Sequence, residues 1–165
     1  MINNSKKAFQ EALHLIYQYA IGITGLKIAC FRKQLAAGVE MNIFTTQGLT
    51  TQANIIEVFD YRLFTNLIPI KWNKENLDLA SKLSPREMDT LESSNFRIEG
   101  FISKPDIGCG RSSKDYHFLY LNNRPCDMPE ISKNINRIYR LFNRGQYPFV
   151  VLKIYLDEHL IDRNL

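Results

Sequence analysis

Two groupings of side chains between Asp106 and Arg144 could do chemistry, and in both the chemistry is the binding of an anion. The first is the run Asp106-Ile107-Gly108-Cys109-Gly110-Arg111-Ser112-Ser113-Lys114. Its glycines let the backbone turn freely, and exposed amides beside Arg111, Ser112, Ser113 and Lys114 could cradle a phosphate. A flexible connecting loop is the plain alternative. The run is not a Walker loop, because the Gly-Lys-Ser/Thr ending is absent and a strand pattern follows it. The second grouping is the row Lys133, Arg137, Arg140 and Arg144. It repeats the spacing of Ile131, Ile135, Ile138 and Phe142, displaced by two residues, which is about 200° around an α-helix. One face of that helix is predicted to be aliphatic and buried, and the opposite face to be a continuous row of cations.

The charge is local. From Arg111 to Arg144 there are seven Lys/Arg and three Asp/Glu, an excess of four that equals the +4 of the whole 165-residue chain. A solvated helix face usually mixes both signs, whereas this one has no acid after Glu130. Asn134 and Asn136 add neutral donors suited to phosphate oxygens. The pattern points to the sugar–phosphate backbone of a nucleic acid, bound without regard to sequence, with a plain solvated face as the alternative. Arg124, presented at the exit of a turn, joins the set, and Arg111 and Lys114 are expected on a mobile loop beside it.

Other chemistries find little support. His117 lies two residues from Asp115 in a strand pattern, which separates them by one pleat and makes no base–nucleophile pair. His14 stands in a helix without a neighbouring ligand candidate, and Cys30, Cys109 and Cys126 form neither a CxxC pair nor a zinc spacing. An odd cysteine count without a signal peptide reads as reduced, intracellular thiols, Cys30 being a small buried hydrophobe. No apolar run has the length needed to cross a bilayer, so no membrane partner is expected. With 45% apolar and 23% charged residues, the composition is that of a soluble globular domain.

The elements that must position these residues follow from periodicity and caps. Ser5 is predicted to cap a helix from Lys6 to about Ile21, burying Phe9, Leu13, Ile16 and Ala20, with Gly22 and Gly25 closing it. Strands are predicted at Leu26–Arg32 and Val39–Thr46, joined at Ala36-Ala37-Gly38. A short helix opens at Thr50 or Thr51 and runs to Phe59, Asp60 interrupts it, and one more turn precedes a strand at Ile68–Trp72. Pro69 favours a sheet edge for that strand. Residues from about 72 to 95 read as a polar insertion, with a short helix at Ser84-Pro85-Arg86-Glu87. Strands resume at Phe96–Ser103 and Tyr116–Leu121. Asn122-Asn123 suits a tight reversal. Asp127, Pro129 and Glu130 form a capping box for the basic helix, Gly145 ends it, and Pro148–Leu156 closes the sheet. The order predicts an α+β fold, an α/β sandwich with helices packed on one face of a mixed sheet.

Three runs then carry a resemblance: Gly108-x-Gly-Arg-Ser-Ser-x-Asp115, Asn122-x-Arg124-Pro-Cys-Asp127 and Asn143-Arg144-x-Gln-Tyr-Pro-Phe-Val150-Val. Together they resemble the DNA mismatch repair protein family MutL, nearest to its eukaryotic postmeiotic-segregation branch. The resemblance reaches weakly back to the first helix and is slight over 72–95. It implies that residues 1–165 form a single transducer and DNA-binding domain, the one that follows a GHKL-type ATPase domain in MutL proteins. The fold it implies is a split β-α-β sandwich with a left-handed crossover, shared with a small-ribosomal-subunit protein.

By the same resemblance the domain lines a basic DNA groove and transmits the nucleotide state of the ATPase, with Arg111, Lys114, Arg124, Lys133, Arg137, Arg140 and Arg144 as the DNA-binding residues. The ATPase and endonuclease motifs of the family are absent from this sequence. The chain itself is therefore expected to be no enzyme, to hold no cofactor and to have no catalytic or metal-binding residue. The parent protein would be an ATPase and metal-dependent endonuclease, with ATP and Mg²⁺ in the missing ATPase domain. Here Asp162-Arg163-Asn164-Leu165 matches the family's closing run only in part, and the lysine that would reach the ATP site lies beyond it. The implied partners are duplex or single-stranded DNA, the ATPase domain of the same chain, a MutL-family heterodimer partner and a mismatch-recognition protein, in the nucleus. An interaction module that docks on an ATPase neighbour or a heterodimer partner through the same basic row, without touching DNA, is the alternative.

Overall fold

A computed structural model of the chain describes residues 2–34, 38–73, 84–86, 89 and 94–157. It divides into two compact units, Met1–Asn66 and Leu67–Leu165. Most of the polar insertion predicted at 72–95 and the partial match at 162–165 lie outside the described residues; of the short helix predicted at Ser84-Pro85-Arg86-Glu87, Pro85 and Arg86 are helical and Glu87 lies outside them.

The first unit contains helix α1 (Ile2–Gly22), strands β1 (Ile28–Gln34) and β2 (Val39–Thr46), and helices α2 (Thr51–Phe59) and α3 (Tyr61–Thr65). Helix α1 begins earlier than predicted, so Ser5 lies inside it. Its buried stripe is also rotated. Leu13, Tyr17 and Ala20 meet Cys30, Phe44 and Val58, while Phe9 and Ile16 are exposed. Tyr17 explains the rotation, since its ring lies 5.5 Å from that of Phe44 and 5.0 Å from that of Phe59, and an aromatic side chain outweighs an isoleucine in area to bury. Strand β1 starts at Ile28 rather than Leu26, which is exposed. The backbone of Leu26 passes so close to Gly48 that any side chain at that position would strike it. Thr50 caps α2 by accepting from the amide of Ala53 at 3.0 Å. Asp60, at φ 106°, ends that helix and caps α3 by accepting from the amide of Leu63 at 2.8 Å.

The second unit is built on a five-stranded mixed sheet in the order β3-β4-β7-β5-β6. Its strands are β3 (Leu67–Asn73), β4 (Arg97–Ser103), β5 (His117–Leu121), β6 (Arg124–Pro125) and β7 (Val150–Tyr155). Strands β5 and β7 run parallel and every other pair is antiparallel. Strand β3 occupies an edge, as Pro69 predicted, because proline cannot donate to a second neighbour. Gly100 lies at the centre of β4 with φ 154°, and a Cβ there would collide with the backbone of Val151 on β7.

Asn122 and Asn123 make the reversal between β5 and β6 with φ 47° and 64°, the paired positive values of a type I′ turn. The Asn122 side chain also clasps the chain after β7, donating to the carbonyl of Leu156 at 2.8 Å and accepting from its amide at 3.0 Å. Asn95 holds the next residue, donating through its amide and its side chain to the two carboxylate oxygens of Asp157 at 3.1 and 3.0 Å.

Between β6 and β7 runs helix α4 (Pro129–Phe142). Ile131 and Ile135 pack on a core of Leu119, Val150, Leu152 and Ile154. The aliphatic stripe then departs from prediction. Ile138 is 53% and Phe142 70% exposed, and Tyr139, at 4%, takes the buried place. From Ile135 a helix face can continue at i+3 or i+4. Tyr139 wins because its ring is buried while its hydroxyl donates to the carbonyl of Lys104 at 2.7 Å. Both predicted caps also differ. The N-cap is Met128 without a side-chain bond, so Asp127 and Glu130 form no capping box. Glu130 instead faces Lys133 at 3.8 Å. The C-cap is Asn143 in extended geometry, before Gly145 is reached.

Candidate nucleic-acid interface

The loop that carries the glycine-arginine run is fastened to the end of α4. Tyr139 holds Lys104, and the buried Asn143 donates to the carbonyl of Asp106 at 3.1 Å. Gln146 accepts from the amide of Gly108 at 2.9 Å and from Asn143 at 3.0 Å, and donates to the carbonyl of Gly110 at 3.0 Å. The two glycines have separate reasons. Gly108 has φ 88°, and a Cβ on Gly110 would stand 2.7 Å from that of Gln146.

These bonds decide what the loop can do. The amide of Gly108 is taken by Gln146, that of Cys109 by the carbonyl of Asp106 at 3.1 Å, and that of Arg111 by the carbonyl of Tyr147 at 2.7 Å. Three of the backbone donors in the run predicted to cradle a phosphate are therefore spent internally.

The seven candidate cations fall into distinct situations. Arg111 is built into the scaffold: its backbone exchanges two hydrogen bonds with Tyr147, its guanidinium stacks 3.8 Å from the Tyr116 ring centroid, and its Nε lies 3.3 Å from Asp115 Oδ1. Burial pulls the Asp115 carboxyl up, but hydrogen bonds from Ser113 and Arg111 outweigh it and hold the group below its usual range. The charge of Arg111 is thus answered by a carboxylate. Lys133 shares its charge with Glu130, both well exposed, a pair worth little at a wet surface. Arg124 is exposed on β6, opposite Leu121 in the register, on the N-terminal approach to α4. Arg137, Arg140 and Arg144 are exposed along α4 and just past its end, and Lys114 is exposed on the loop.

Arg140 and Lys114 converge on one side chain that sequence reasoning did not single out. Arg140 lies 5.0 Å from the ring centroid of Tyr147 and donates through Nη2 to its hydroxyl at 3.2 Å. Lys114 Nζ lies 5.6 Å from the same centroid. Tyr147 belongs to the Gln-Tyr-Pro-Phe run, so its position was visible, but nothing local tells that the loop returns to it. The structure brings Arg111, Lys114 and Arg140 together around Tyr147, leaves Arg137 and Arg144 on the helix row, and sets Arg124 at the opposite end of the helix.

The remaining polar groups suit structure more than chemistry. Burial holds the His117 imidazole below its ordinary range, partly offset by the Pro148 backbone and the Asn136 side chain. Burial likewise lowers the Lys153 ammonium, with Glu99 acting against it. Among the described residues no three His, Cys, Asp or Glu side chains are grouped as metal ligands.

The family model described as DNA mismatch repair protein, C-terminal domain, matches residues 55–165. The mismatch repair endonuclease PMS2 of Gallus gallus is 34% identical over 163 residues, covering 98% of this chain and 18% of that protein. The human PMS2 is 33% identical, covering 98% of this chain and 19% of that protein. The DNA mismatch repair protein PMS1 of Saccharomyces cerevisiae is 30% identical, covering 97% and 19% respectively. The chain thus spans less than a fifth of the length of these curated relatives. The crystal structure of the N terminal domain of a DNA repair protein superposes with a TM-score of 0.84 at 30% identity, over 99% of this chain and 46% of the other.

Proposed function

The chain belongs to the eukaryotic MutL family of DNA mismatch repair proteins, and from that premise we propose that it binds the DNA backbone through helix α4 and the loop fastened to its end. The observation that supports this reading is the exposed row Arg137, Arg140 and Arg144, with no acidic side chain on α4 after Glu130. At a rise of about 1.5 Å per residue, Arg137 and Arg140 stand about 4.5 Å apart along the helix axis, and Arg144 extends the row just past the helix end. No side chain in the row is arranged to read a base edge, and binding is indifferent to sequence. Residues 1–165 act as one transducer region of a longer protein whose ATP and Mg²⁺ are held by a separate ATPase domain, and whose nuclease chemistry, named in the PMS2 relatives, lies elsewhere. That protein works in the nucleus with a MutL-family partner subunit and a mismatch-recognition protein, and this chain relays the nucleotide state to the DNA surface without catalysis of its own.

The test is duplex affinity, measured by fluorescence anisotropy across about 50 to 200 mM salt. Each phosphate contact contributes about −0.9 to the log–log salt slope. Removing Arg137, Arg140 and Arg144 together should flatten the slope by up to about 2.7, and reversing them to Glu should abolish binding. Wild-type affinity in the reversed variant would end the proposal.

One observation favours a second reading, docking on an ATPase neighbour or partner subunit without DNA. Ile138, Leu141 and Phe142 leave an apolar stripe exposed on the same helix. Titrating the chain separately with the parent's ATPase domain and with duplex DNA distinguishes the two readings.

A further inference from the structure

We infer that Lys114, Arg140 and Tyr147 form a single phosphate seat, in which two cations and one phenol share one non-esterified phosphate edge of the DNA backbone. This deepens the DNA-binding reading and rests on it.

Three observations carry the inference. First, the two cations come from different elements, a loop and a helix, yet both lie on the Tyr147 ring, 5.6 and 5.0 Å from its centroid. Both charges are thus anchored on one side chain, and an anion at its hydroxyl edge is attracted by both. Second, the Tyr147 hydroxyl accepts from Arg140 Nη2 at 3.2 Å. A phenol that accepts one bond keeps its own proton to give, so it can donate to the same oxygen that Arg140 and Lys114 attract. Third, the platform is fixed. Tyr147 exchanges backbone hydrogen bonds of 2.7 and 2.8 Å with Arg111, and the charge of Arg111 is spent on Asp115 and the Tyr116 ring. Arg111 therefore anchors the Tyr147 backbone and does not compete for the anion.

The seat makes Tyr147 a DNA-contacting residue and reduces two cations to one phosphate contact. A salt slope counts phosphates neutralised, not cations present. The experiment is the anisotropy titration with a labelled 30-base-pair duplex, on K114A, R140A, K114A/R140A, Y147F and R137A/R144A. Each single cation variant should lower the slope by clearly less than about 0.9, and the double variant by about 0.9 in total. Y147F keeps every charge and the backbone bridge, and should weaken binding about tenfold with little change of slope, as expected for one hydrogen bond to a charged group.

A double variant that lowers the slope by about 1.8, meaning a phosphate for each cation, overturns the seat, and so does Y147F with wild-type affinity. If R137A/R144A flattens the slope while the Lys114, Arg140 and Tyr147 variants do not, the seat fails and the DNA surface stands. If no variant changes binding, the DNA surface fails and the seat with it.

Discussion

Gln146→Ala should release the loop that carries the glycine-arginine run, and the cost can be worked from its bonds. The side chain makes three hydrogen bonds, with the amide of Gly108, the carbonyl of Gly110 and the side chain of Asn143. A net bond contributes about 0.5–1.5 kcal/mol. Gly108 is exposed, so water takes over its amide; Gly110 is half-buried and Asn143 buried, so theirs are harder to replace. Asn143 retains its bond to Asp106. The expected loss is about 2 kcal/mol. The chain's single tryptophan, Trp72, lies on β3 of the same unit and reports urea unfolding. With a slope of 1–3 kcal/mol/M the midpoint should fall by about 1 M. Amide exchange at Gly108 should accelerate in the folded state. Gln146→Glu keeps the acceptor and turns an oxygen on the carbonyl of Gly110, so it should fall at or below Gln146→Ala. An unshifted midpoint together with unchanged exchange at Gly108 would refute the tethered loop.

Two further perturbations test the frame around it. Gly100→Ala drives a methyl into the backbone of Val151 and strains a positive φ, so the β4–β7 ladder must separate. A loss of at least about 3 kcal/mol is expected, and a folded variant of unchanged melting temperature would contradict the packing. His117 is held below its ordinary range by burial. Between that depressed value and about 6.5 the unfolded chain takes up a proton that the folded chain refuses, so stability falls as pH drops through that window and levels off below it. Urea midpoints from pH 7.5 to 5 should show a decline that His117→Gln reduces, and identical profiles for the two proteins would dismiss the effect.

Much of this architecture was readable from local chemistry. Val39–Thr46 and Thr51–Phe59 lie where alternation and the Thr50 cap put them, and Asn122-Asn123 turns as two asparagines tolerant of positive φ should. These features depend on residues close in sequence. The failures depend on residues far apart. Tyr139 displaced Ile138 from the buried stripe because its hydroxyl had a carbonyl to meet 35 residues away. Gln146 and Asn143 reach across 36 to 38 residues to the loop, and no periodicity encodes such a return. The Asp127-Glu130 capping box matched its pattern, yet helix α4 starts without it, because a pattern states what a residue can bond and not what it meets. The exposed row on α4 followed from spacing alone, whereas the convergence of Lys114 and Arg140 on Tyr147 required the fold.

Strand β7 has a mechanical consequence for whatever chain follows it. It is the middle strand of its sheet, bonded to β4 on one side and β5 on the other, and beyond it Asn122 and Asn95 grip Leu156 and Asp157 from two directions. A pull applied beyond Asp157 along the strand meets both ladders in shear, so their bonds must fail together and cannot unzip in turn. The clasps at Asn122 and Asn95 take the strain first. Tension arriving from that side reaches the sheet as a whole, with little slack between the pull and its centre.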